Sequence, residues 1–343
     1  MGRPRLSQAL LFLLAVINVA CAQEQKVASI GDLRLESGET IRECRVGYRT
    51  FGKLNADKSN VIVAPTWFSG TSAGMVTYVG PGKLLDSSKY YVVVVDALGN
   101  GVSSSPSNST AQPRMAFPRF TIRDMVNSQH ALLTRELRLN HVRAVVGLSM
   151  GGMQAFQWAF SYPGYMDKVV PLVSSPRLAA YDLVLWRTMQ QAIENDPAWN
   201  RGNYREQPAN ATVAGLGLLN LTTPEAVNKQ TQRESLDNFL AEAKRQTAKF
   251  DMNDRLRQLQ AMIAHDVYAP FGGSVERAAA AVKPKFLIVV STKDHMVTPG
   301  PAIEFAHATH SGLLMLDATD CGHTATSCEL PKVQAAINEF LNK

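Results

Sequence analysis

The stretch Val145-Val146-Gly147-Leu148-Ser149-Met150-Gly151-Gly152-Met153-Gln154-Ala155 runs from β-branched apolar residues through a Gly-x-Ser-x-Gly turn directly into helix-forming residues. This pattern predicts a nucleophile elbow, in which a buried strand, a sharp turn and a helix follow one another without a linker. A serine held in such a turn needs small neighbours, which Gly147 and Gly151 supply. The turn lifts the Ser149 hydroxyl above the carboxyl end of a sheet and leaves the backbone N–H of Met150 at the unsatisfied start of a helix. That N–H can face a developing oxyanion.

Outward from the elbow the chain alternates strands and helices. Residues 28–53 read as two or three strands of an antiparallel edge, with 40–51 the clearest. The continuous apolar runs 60–65, 90–96, 142–147 and 168–174 read as strands buried on both faces. Helical spacing of apolar residues covers 121–137 and 150–161. The alternation then stops. Residues 176–273 contain no strong strand but have helical runs at 183–194 and 224–246. A connection rich in Pro, Gly and Asn joins these runs, and helical character resumes up to about residue 263. Strands at 285–291 and 312–317 return with helices at 275–282, 299–310 and 330–341. The expected class is α/β: a mainly parallel sheet flanked by helices, with a helical cap inserted between strands. The expected divisions are 1–22 as a signal peptide, 23–176 and 274–343 as the two parts of the core, and 177–273 as the cap.

The signal reading rests on Arg3 and Arg5, a short apolar run over 9–20, and the Ala20-Cys21-Ala22 cleavage pattern. It predicts export to a periplasmic or extracellular space, with a mature chain starting at Gln23. Acylation of Cys21 as a lipoprotein is the alternative, weakened by Asn18 where an aliphatic residue is expected. The run is too short for a comfortable membrane span. The formal net charge of +6 is scattered along the chain and suggests no nucleic-acid partner. In an oxidising compartment the closely spaced Cys321 and Cys328 are candidates for a local disulfide, which leaves Cys44 as a lone buried thiol. No metal-ligand spacing is present. Oligomeric state stays open, with a homodimer allowed.

A serine hydroxyl needs a base to take its proton. Of the seven histidines, His323 is favoured because it follows the last strand in Asp320-Cys321-Gly322-His323. His295 is its rival; His130, His307 and His310 fall in helical patterns, His141 precedes a strand at the wrong end, and His265 belongs to the cap. Asp294, just after the 285–291 strand, is the carboxylate expected to orient the imidazole, with Asp317 and Asp320 as alternatives. The loop after the 60–65 strand should supply the second oxyanion donor. Phe68 N–H is preferred over that of Trp67. The Trp67 and Phe68 side chains could line an acyl pocket.

These residues sit within a wider pattern. Tyr48-Arg49-Thr50-Phe51-Gly52-Lys53-Leu54-Asn55, Gly80-Pro81-Gly82-Lys83 and Asp96-Ala97-Leu98-Gly99 belong to it, as do Phe117-Pro118-Arg119-Phe120-Thr121-Ile122-Arg123-Asp124-Met125-Val126 and 147–154. With them the chain resembles the homoserine O-acetyltransferase family of α/β-hydrolases, over most of its length and least in the cap. The resemblance implies an α/β-hydrolase fold with Ser149 as nucleophile, Asp294 as acid and His323 as base, in the chain order of that superfamily. Two departures bear on function. Family members carry an aspartate directly after the histidine to hold a substrate amine, where this chain has Thr324. They also carry a cap arginine for the substrate carboxylate, whereas Gly215-Leu216-Gly217-Leu218-Leu219-Asn220 has none. Export would also remove the chain from acetyl-CoA. The expectation is a serine hydrolase that cleaves a small-molecule carboxylic ester, or less readily an amide, through an acyl-enzyme on Ser149 and without a cofactor. Transfer to an alcohol is the alternative, and a non-catalytic binding protein a minor one. Thr324 is expected beside the substrate.

Overall fold

The computed structural model describes residues 24–318 and 320–343, so the expected signal segment and Cys21 lie outside the described residues. The strands of the main sheet are β1 (Lys26–Arg34), β2 (Thr40–Phe51), β3 (Val61–Pro65), β4 (Tyr91–Val95), β5 (Val142–Leu148), β6 (Met166–Leu172), β7 (Lys285–Ser291) and β8 (Gly312–Leu316). Among the described residues they form an eight-stranded sheet in the order β1-β2-β4-β3-β5-β6-β7-β8. The β1–β2 and β2–β4 pairs are antiparallel and every later pair is parallel. This is the mainly parallel α/β architecture that the sequence predicts.

The valine-rich strands are apolar throughout because both faces of the sheet are covered. In β4, Val93 and Val95 enter one core layer with α1 (Ile122–Ala131) and α2 (Met150–Ser161), whereas Val92 and Val94 enter the other with the last helix, Leu330–Asn342. Adjacent residues therefore serve opposite layers, as the two-residue period of a strand requires. The expected helix over 121–137 is α1 followed by a π-helical turn, Leu132–Glu136. A capping box starts α1: Thr121 Oγ1 accepts from Asp124 N–H, and Asp124 Oδ2 accepts from Thr121 N–H.

Between β6 and the next core helix, α8 (Val275–Ala281), lie α3 (Ala180–Glu194), α4 (Ala211–Leu221), α5 (Pro224–Gln230), α6 (Leu236–Thr247) and α7 (Met252–Ile263). Two details depart from the sequence pattern. The stretch read as an irregular connection contains α4, despite Gly215 and Gly217. Asn210 caps it by accepting from Val213 N–H at 2.9 Å, and Val213 and Ala214 are buried. Packing of α4 against α3 and α6 outweighs the poor helix propensity of glycine. The single run 224–246 is broken, because Thr231 and Gln232 are extended between α5 and α6. The cap is also uneven. Nine residues of α7 are buried, while α6 buries none. Among the described residues, no helix is long and apolar enough to cross a membrane.

Candidate active site

The elbow forms at the carboxyl end of β5. Ser149 caps α2 with φ 57° and ψ −123°, a conformation that costs a non-glycine residue about 1–3 kcal/mol. Its N–H donates to Leu172 O at 2.9 Å, and its carbonyl accepts from Gly152 and Met153 N–H. A Cβ on Gly147 would lie 2.0 Å from Gly151 O, and one on Gly151 would lie 2.4 Å from Pro65 O. The glycines are therefore set by backbone-to-backbone approach between helix and sheet.

Two loops at the same edge bring up the partners of Ser149. His323 Nε2 is 2.9 Å from Ser149 Oγ, and His323 Nδ1 is 2.7 Å from Asp294 Oδ2. All three side chains are buried, with Asp294 and His323 only 3% and 6% exposed. The second carboxylate oxygen of Asp294 accepts from Met296 N–H at 2.8 Å and Val297 N–H at 3.0 Å. These two bonds fix the carboxylate plane, and with it the imidazole. This geometry lets Nε2 take the hydroxyl proton while the carboxylate stabilises the resulting imidazolium. Asp320 instead pairs with Lys229 and Lys293, each at 2.8 Å, and these neighbours hold its carboxyl down at about 2. His130 stacks on Tyr162 and His141 meets Asp167, so neither approaches Ser149.

Four N–H groups of the loop after β3 are engaged. Thr66 N–H donates to Val95 O, Ser69 N–H to Gln258 Oε1, Gly70 N–H to Trp67 O and Ser72 N–H to Asp96 Oδ1. The N–H groups of Trp67 and Phe68 have no partner among the described residues. Met150 is the first residue of α2, so its N–H has no intrahelical acceptor. Donors from two elements are thus left free near the elbow.

A cavity of about 300 Å³ opens on Ser149 and His323. Trp67, Phe68, Leu148, Leu221 and Met296 provide its apolar walls; Tyr78, Thr324, Thr326 and Ser327 add hydroxyls, and no carboxylate, ammonium or guanidinium lines it. The expected pocket residues Trp67 and Thr324 are both here. Tyr78, Leu221 and Met296 are additions that no local pattern marks. Cys321 and Cys328 form a disulfide around the His323 segment. Cys44 is buried and reduced, its thiol pushed up to about 12 by burial. Another unforeseen group is Asp182 of α3, a buried carboxylate that accepts from Thr298 N–H at 3.0 Å and braces the Asp294 loop from the cap. Burial raises its pKa, and the Asp294 charge adds to the effect. Among the described residues no three His, Cys, Asp or Glu side chains gather as a metal site.

A sequence profile of the alpha/beta hydrolase fold matches residues 72–326. The chain is 35% identical over 289 residues to an ethyl acetate hydrolase of Pseudomonas veronii, covering 80% of this chain and 81% of that one. It is 30% identical over 338 residues to a homoserine O-acetyltransferase of Chlorobium chlorochromatii, covering 90% and 92%. The solved structure of the acetyl esterase MekB superimposes with a TM-score of 0.86 at 31% identity, over 93% of this chain and 97% of that one. With the sheet order and the elbow, these similarities establish that the chain is an enzyme of the alpha/beta hydrolase fold family, in its homoserine O-acetyltransferase-like branch.

Proposed function

We propose that the protein is a serine esterase that hydrolyses small carboxylic esters. The carrying observation is the Ser149–His323–Asp294 array opening into a cavity without a carboxylate or guanidinium. Ser149 Oγ attacks the acyl carbonyl as its proton passes to His323 Nε2, and the Phe68 and Met150 N–H groups receive the oxyanion. The tetrahedral adduct collapses and expels the alcohol, which leaves with the proton from His323. Water, deprotonated by the same imidazole, then cleaves the acyl-enzyme to the carboxylic acid and free Ser149. A cavity of about 300 Å³ lies at the small end of ligand sites. That size fits short acyl and alcohol parts, in keeping with relatives named for ethyl acetate and acetyl esters.

Transfer of the acyl group to an alcohol is the second reading, favoured by the likeness to homoserine O-acetyltransferases over most of the chain. Against it, Thr324 places no charge in the cavity to hold an amino-acid ammonium. Purified protein given p-nitrophenyl esters from acetate to octanoate, with and without added alcohols, separates the two. The expected result is turnover in water alone, fastest for the shortest acyl groups, and lost in Ser149→Ala by at least about 10³-fold. Turnover that requires an added alcohol would make the protein a transferase. Undiminished activity of Ser149→Ala would remove the site altogether.

A further inference from the structure

We infer that Gln258, a cap residue on α7, is the positioning residue for the oxyanion loop. This inference rests on the esterase reading above. Gln258 is fully buried and spans two core loops. Its Oε1 accepts from Ser69 N–H at 2.8 Å, and its Nε2 donates to Leu98 O at 2.9 Å. An N–H can only donate and a carbonyl can only accept, so this amide has one orientation that satisfies both. The two contacts join the loop after β3 to the loop after β4 through a side chain of the cap.

The contact at Ser69 matters because of what lies beside it. Ser69 has φ 57°, a left-handed conformation that a non-glycine residue holds only under constraint. The constrained peptide is the one between Phe68 and Ser69, which adjoins the free Phe68 N–H. Held in this way, the loop keeps that N–H directed at one place before substrate arrives. One turn earlier on α7, the Arg255 guanidinium lies 5.1 Å from the centre of the Phe68 ring and presses on the same residue. The helix is itself bolted to the core on either side. Asp254 accepts from Ser107 N–H at 2.9 Å, and Arg257 donates to Phe117 O. Part of the oxyanion hole is therefore built by the cap, and the cap acts on the acylation step as well as on substrate choice. An apolar side chain at 258 would leave Ser69 N–H and Leu98 O buried without partners and free the loop to relax from its strained form.

The test compares Gln258→Met, which keeps the volume and loses both hydrogen bonds, with Gln258→Asn, which keeps the amide one methylene too short. Activity is expressed per Ser149 titrated to completion with a fluorophosphonate, so that misfolded protein is not counted. The expected result for Gln258→Met on p-nitrophenyl acetate is a fall in kcat of about 10–100-fold with KM within about threefold, since a donor misplaced by an ångström costs about that much. Inhibition by a small alkyl boronic acid, whose tetrahedral adduct places an oxygen in the hole, should weaken by a similar factor. If Gln258→Met is insoluble, Gln258→Asn should show the same split at a smaller amplitude. A kcat per titrated site within twofold of the parent, or a loss confined to KM, in whichever variant folds would overturn the inference. Failure of the esterase reading is separate and would show as full activity in Ser149→Ala.

Discussion

Three hydrogen bonds meet the carboxylate of Asp294. It is buried and needs hydrogen bonds; Oδ1 takes two from the backbone of its own loop, and Oδ2 takes one from His323. Asn at this position can keep its carbonyl oxygen on the Met296 and Val297 N–H groups, which turns its NH₂ toward His323 Nδ1. That forces the imidazole into the tautomer with a proton on Nε2, where it can no longer accept from Ser149. Asp294→Asn should therefore fold normally and lose kcat by about 10³–10⁴-fold, as in serine proteases with the same change. Thermal melting and steady-state hydrolysis on one preparation check this, and a large drop in Tm would point to a structural role. That Ser149, Asp294 and His323 come together was legible because each follows the carboxyl end of a strand, where a parallel sheet collects its loops. Gln258 was not legible: on a helix with Leu256 and Leu259 it has the look of an ordinary polar position.

At the scale of elements, the segment from Cys321 to Cys328 carries His323 and three residues of the cavity wall. It is held at its start by Thr223, whose hydroxyl donates to Asp320 O at 2.7 Å, and by the disulfide across its length. Replacing both cysteines by serine releases a short loop, for which the chain-entropy estimate is about 2–3 kcal/mol. The expected outcome is a Tm lower by several degrees in the double variant and in dithiothreitol-treated parent, with no further effect of dithiothreitol on the variant. Identical melting of oxidised and reduced parent would show that the bond contributes nothing to stability. The strands were legible because their apolar runs are continuous, and α2 because the elbow dictates it. Helix α4 was not, since Gly215 and Gly217 argue against a helix until Val213 and Ala214 find neighbours across the cap.

Across the whole molecule, two buried groups that the proposed chemistry does not use set opposing pH dependences. Burial pushes His265 down to about 4 from its ordinary 6.5. Burial, with the Asp251 charge adding, pushes Asp254 up to about 7 from 3.8. Between about pH 4 and 6.5 the unfolded chain binds a proton at residue 265 that the folded one refuses, so this group makes stability rise with pH. Between about pH 4 and 7 the folded chain keeps a proton at residue 254 that the unfolded one gives up, so stability falls with pH. Each slope is at most about 1.4 kcal/mol per pH unit, and together they nearly cancel. Urea titrations from pH 4 to 7 should then show a shallow dependence from this pair in the parent. His265→Leu should lose stability as pH rises and Asp254→Asn should gain it. Parallel profiles for all three proteins would refute the assignment.

The α/β class, the elbow and the residues that meet there can be read along the chain. Those features follow from short-range sterics and from the two-residue period of strands, which any local window displays. The extra helix, the remaining cavity walls (Tyr78, Leu221 and Met296 among them) and the hold of α7 on the loop after β3 depend on tertiary contacts. Ser69 and Gln258 are 189 residues apart. Their hydrogen bond exists because two loops and a cap helix exclude water from the same small volume, and that condition is not present in any one stretch of the chain.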